Sequence, residues 1–124
     1  MENLNIEQTK FTPSIVFDIQ KCLLEIKGDS LPENTTEFYK PLMESLLQFL
    51  QTPQNNITVN LELTYFNSSS SKFLYDFFDL FVEKNNGTDV VINWFYDEED
   101  ENMEEAGEDF QEDFEDLKFN VLVK

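Results

Sequence analysis

Apolar positions along the chain recur with two periods, two and roughly three and a half, and the switches between them mark the elements. "SIVFDI" (14–19) and "CLLEIKG" (22–28) are short apolar runs separated by a tight break. They predict an opening hairpin, with Gly28 ending its second strand. "DSLPEN" predicts a turn around Pro32, and Asn34 or Thr35 is placed to cap the helix that follows. Phe38, Leu42, Leu46, Leu47 and Leu50 fall on one face of that helix. After the loop "TPQNN" (52–56), "ITVNLELTYF" alternates. Ile57, Val59, Leu61, Leu63 and Tyr65 point one way, and Thr58, Asn60, Glu62 and Thr64 the other.

Beyond a run of serines, Phe73, Leu74, Phe77, Phe78 and Phe81 return at helical spacing, and "KNNGT" predicts a stop at Gly87. "DVVINWFY" (89–96) is apolar on both faces, as an interior strand is. "FNVLV" closes the chain as a last strand. The order β-β-α-β-α-β-α-β predicts an α/β fold with a mixed, mostly parallel sheet and helices packed on it. At 124 residues, with no linker or repeat, the chain reads as a single domain, 1–124.

Charge changes this picture in one place. "DEEDENMEEAGEDFQEDFED" (97–116) holds 13 of the 26 acidic residues. Such blocks are often disordered tails. Here, however, Met103, Ala106, Phe110 and Phe114 recur at spacings of three and four, and a strand follows. The segment therefore reads as an amphipathic helix with an anionic outer face, either a contact surface for a basic partner or simply a solubilising one. Gly107 within it costs about 1 kcal/mol relative to Ala, which points to close packing there. "DEEDEN" lacks the sixth-position glycine of a calcium loop, so no metal is expected.

The formal net charge of −18 argues against nucleic acid and anionic membrane surfaces as partners. The chain has no Arg and no His, which removes the usual phosphate fork and the usual neutral-pH base. Cys22 is the single cysteine and cannot form an internal disulfide, as suits a reducing cytoplasm. The polar N-terminus lacks the apolar core of a signal peptide. No catalytic residues, metal or cofactor are expected.

The candidate chemistry lies in "YFNSSSSK", Tyr65 to Lys72, where a strand end meets a helix start. In open α/β sheets this edge collects functional loops. Ser70 or Ser71 suits a helix cap. A phosphate on one of the four serines would gain from the helix N-terminus and add about −1.5 to −2 charges. Cap and phosphorylation site both remain open on the residues alone. Nucleophilic catalysis does not fit, because the stretch is not Gly-x-Ser-x-Gly and no His is present.

"TPSIVFD" (12–18), "LEIKGDSLPEN" (24–34), "YFNSSSSK" (65–72), "NWFYDEEDENM" (93–103) and "EAGEDF" (105–110) together resemble the SiaC family of bacterial regulatory phosphoproteins. The resemblance implies a STAS-like fold, related to anti-sigma-factor antagonists. It implies a non-enzymatic switch, phosphorylated by a dedicated protein kinase and reset by a PP2C-type phosphatase. Unphosphorylated, it would bind and activate a diguanylate cyclase in cyclic di-GMP and biofilm signalling. The family's acceptor hydroxyl follows an Asn, which here makes Ser68, after Asn67, the implied acceptor, with Ser69 the alternative. Thr64, Tyr65, Asn67, Ser69 and Lys72 are then the expected partner-binding neighbours. The alternative client is an anti-sigma factor; a constitutive acidic mimic of nucleic acid is a reading from another class.

Overall fold

The computed structural model describes residues 1–124. Its strands are β1 (Leu4–Ile6), β2 (Ser14–Asp18), β3 (Leu23–Ser30), β4 (Asn56–Phe66), β5 (Asp89–Tyr96) and β6 (Lys118–Val123). Its helices are α1 (Thr35–Gln51), α2 (Ser68–Lys84) and α3 (Glu101–Asp113). The six strands lie in one sheet in chain order; β1-β2 and β2-β3 pair antiparallel, and every later pair is parallel. The expected order and mixed, mostly parallel sheet are thus present, with one strand more at the start. β1 pairs Leu4 with Phe17 and Ile6 with Ile15. Three residues are too few to show a period inside a polar N-terminus. No helix is long and apolar enough to cross a membrane.

Strands laid down in one direction, each joined by a crossover of the same hand, put all three helices on one face of the sheet. Ile57, Val59, Leu61 and Leu63 of β4 and Ile92 and Trp94 of β5 are buried beneath them. The opposite face is mixed, with Val91, Phe95 and Leu122 only partly covered among polar side chains. Along it Asn60, Asn93 and Asn120 sit in register; the Asn120 amide donates to the Asn93 side-chain oxygen and the Asn93 amide to that of Asn60, each at 3.0 Å. That ladder satisfies polar groups that no helix covers.

The strand pattern fails at one point, for a physical reason. Between Gly28 and Asp29 the β3-β4 register slips, so that Gly28 pairs with Leu63 and Asp29 with Tyr65. Thr64 is the extra residue of a β-bulge. Gly28, at φ +116°, is therefore the bulge partner within β3 and not its end. Past the bulge the phase flips: Tyr65, expected inward, is 52% exposed, while Phe66 turns in toward Trp94 and Phe110. The α1 pattern is also rotated. Tyr39 and Phe49 are buried and Leu47 is exposed. Nor does Gly87 stop α2; Asn85 caps it, donating to the carbonyls of Phe81 and Val82.

The acidic segment is a docked helix. Phe110 of α3 and Phe114, which caps it, pack on Phe78 of α2 at 5.2 and 5.4 Å, and Phe110 also meets Trp94 at 5.4 Å. Two phenols add polar ties: Tyr75 donates to Asp113 at 2.7 Å and Tyr96 to Glu104 at 2.8 Å. Holding a proton against a carboxylate raises the pKa of both tyrosines.

Candidate functional site

The bulge delivers β4 to the candidate site. The Thr64 hydroxyl donates to the Asp29 carboxylate, which fixes the last turn of strand before the helix. Asn67 is extended (φ −87°, ψ 179°), and its side-chain oxygen accepts the Ser70 N–H at 2.9 Å. Asn67 is therefore the cap of α2, in place of the expected Ser70 or Ser71. All four serines lie inside the first turns of the helix, and Ser68 is its first residue.

The four hydroxyls then have different fates. Ser70 is 1% exposed. Its hydroxyl donates to the Ser30 carbonyl at 2.9 Å and lies 2.7 Å from the Ser30 hydroxyl, which lies 2.6 Å from the Tyr39 phenol. A hydroxyl has one proton. With that of Ser70 given to a carbonyl, Ser30 donates to Ser70 and Tyr39 donates to Ser30. Burial pushes the Tyr39 pKa up to about 12, so the phenol stays a donor. Ser69 is exposed but clasped: it donates to the Asn67 side chain at 3.1 Å and meets the Thr35 hydroxyl of α1 at 2.7 Å. Ser71 is half-buried. Ser68 is exposed, and its hydroxyl makes no hydrogen bond within the chain.

The expected neighbours divide between two sides of this turn. Ser69 and Lys72 line a groove toward α1, with Thr35, Tyr39 and Lys40. Thr64 and Tyr65 instead face the start of α3, near Asp100 and Met103. Lys72 is exposed and pairs with no carboxylate; the ion pairs in the chain are those of Lys27. Sequence reasoning missed Ser30, Thr35 and Tyr39. Ser30 and Ser70 are 40 residues apart, and Thr35 and Ser69 are 34 apart. Only the parallel pairing of β3 with β4 brings their ends together.

Comparison with known proteins places this chain among regulatory phosphoproteins. The family model described as SiaC family regulatory phosphoprotein matches residues 6–124, and the chain belongs to the SiaC family. An uncharacterized protein of Pseudomonas aeruginosa (strain UCBPP-PA14) is 37% identical over 114 residues, covering 91% of this chain and 90% of that protein. The crystal structure of apo-SiaC from P. aeruginosa is 34% identical with a TM-score of 0.85, covering 100% of this chain and 99% of SiaC. SiaC is also known in complex with the diguanylate cyclase SiaD, whose activator it is. That structure matches at 34% identity and a TM-score of 0.91, over 98% of this chain and 99% of the other.

Proposed function

We propose that this chain is a non-enzymatic switch that binds and activates a diguanylate cyclase while unphosphorylated. A dedicated protein kinase phosphorylates Ser68 to release the cyclase, and a PP2C-type phosphatase restores the active form. The observation that carries the reading is the sorting of the four serines. Ser70 is buried, Ser69 is clasped and Ser71 is half-buried, whereas Ser68 offers an exposed, unbonded hydroxyl at the first position of a capped helix. A phosphate there lies beside the free N–H groups and positive end of α2, so the folded state tolerates it.

The likeness to an activator of a diguanylate cyclase supports the choice of client. The absence of His from the chain and the lack of a nucleophile–base pair at the serines support a non-enzymatic role. Thr64, Tyr65, Asn67, Ser69 and Lys72 are proposed as the surface around the switch.

Adding the unmodified chain to the diguanylate cyclase of the same organism is expected to raise cyclic di-GMP formation several-fold. Formation followed by chromatography tests this. An unchanged rate, with no complex on size exclusion, overturns the choice of client; recovery of an anti-sigma factor in a pull-down would then identify the other one.

A further inference from the structure

The first turns of α1 and α2 meet side by side. β3 and β4 are parallel neighbours, and each leads at its C-terminal end into a helix. Thr35, the first residue of α1, thereby meets Ser69, the second of α2. Both helices take their caps from other residues. Asn34 accepts the Glu37 N–H at 3.1 Å, and Asn67 accepts the Ser70 N–H at 2.9 Å. The Thr35 hydroxyl is thus not needed to start its own helix. It crosses to the other one and lies 2.7 Å from the Ser69 hydroxyl.

Counting protons gives this bond a direction. Ser69 donates its single proton to the Asn67 side-chain oxygen at 3.1 Å, so across the 2.7 Å contact Thr35 donates and Ser69 accepts. Phosphoryl transfer asks the opposite of a serine. Its oxygen must offer a lone pair to the γ-phosphorus of ATP, its proton must pass to a base of the kinase, and the bond from that phosphorus to ADP breaks. On Ser69 the proton is held by Asn67 and a lone pair by Thr35. Ser70 is held likewise, between the carbonyl and the hydroxyl of Ser30. Ser68 carries neither restraint.

We propose that Thr35 is a specificity-determining residue for phosphorylation: by donating to Ser69 it withholds that hydroxyl from the kinase and leaves Ser68 as the acceptor. Ser68 and Ser69 are adjacent, both exposed and both at the positive end of α2, so exposure and the helix dipole do not separate them. What separates them is a side chain of α1, 34 residues away in the chain. This role rests on the switch reading and deepens it. A phosphate on Ser69 would displace the tie between the two helix starts, whereas one on Ser68 breaks no bond within the chain.

The test uses the full chain in the Ser68→Ala background, incubated with the cognate kinase and ATP and mapped by tandem mass spectrometry. Thr35→Val keeps the shape of the side chain and loses the hydroxyl, whereas Thr35→Ser keeps the hydroxyl. A hydrogen bond of ordinary net strength holds back a group about fivefold, so adding Thr35→Val should speed labelling of Ser69 about fivefold or more over Ser68→Ala alone. Adding Thr35→Ser should leave Ser69 protected. Labelling of Ser71, which shares no hydrogen bond with Thr35, should not change. Thr35→Ala also removes the hydroxyl and should behave as Thr35→Val does, with circular dichroism melts showing that the variants fold. No gain at Ser69 in either hydroxyl-free variant, a gain at Ser71 instead, or an equal gain with Thr35→Ser overturns the role of Thr35. Wild-type labelling at Ser68 would in those cases leave the switch standing. A wild type that takes no phosphate at Ser68 removes the switch reading, and the role of Thr35 with it.

Discussion

Phosphorylated at Ser68, the chain is expected to bind the cyclase about tenfold or more weakly than the unmodified chain. The phosphate adds about −1.5 to −2 charges at an exposed position that carries no hydrogen bond to break. The fold should hold, since a negative group at a helix N-terminus is stabilising by about 0.3–1 kcal/mol. A tenfold loss is about 1.4 kcal/mol. Placing like charges together across an interface costs several kcal/mol, so the predicted loss lies well within reach of one phosphate. Ser68→Asp carries a single charge on a shorter group and should reproduce only part of it. Titration calorimetry with the two forms gives the answer; equal affinities would leave a charge-based switch without foundation.

Gly107→Ala is expected to destabilise the fold, although alanine is the better helix former by about 1 kcal/mol. A β-carbon at Gly107 would stand 2.4 Å from Trp94 Cδ1 and 2.8 Å from Nε1. The indole has nowhere to go. It is 1% exposed, lies between Phe66 and Phe110, and its N–H donates to the Met103 carbonyl at 3.0 Å. α3 must therefore lift, loosening Phe110 and Met103, and overpacking of this kind costs about 1–3 kcal/mol. Net of the helix gain, the melting temperature should fall by roughly 5 °C. An unchanged or higher melting temperature would show that α3 relaxes without strain. The glycine is what lets an acidic helix lie close on the sheet, so this loss would also weaken the anchoring of the whole anionic surface.

The fold was legible wherever a pattern is local. The alternation of Ile57 to Leu63, the helical return of Phe73 to Phe81 and the apolar stripe of Met103, Ala106, Phe110 and Phe114 each follow from local spacing along the chain. Legibility ended where one strand's geometry depends on another. The bulge at Thr64 exists only because β3 and β4 pair with a slip, and it turned Tyr65 outward against its own alternation. The site shows the same limit. That a helix begins near the serines was readable, but which residue caps it was not, because Asn and Ser cap almost equally well. The sorting of the serines depends on Ser30, Thr35 and Tyr39, all supplied by distant elements. Family resemblance singled out Ser68; of the two serines whose hydroxyls make no hydrogen bond, Ser68 and Ser71, it is the exposed one.

Peptide mapping decides whether Ser68 is the phosphoacceptor. The full chain and its Ser68→Ala variant are incubated with the cognate kinase and ATP, digested, and sequenced by tandem mass spectrometry. One phosphate is expected on the wild type, at Ser68, and none on the variant. Phosphate on Ser69 or Ser71, or undiminished labelling of Ser68→Ala, would contradict it.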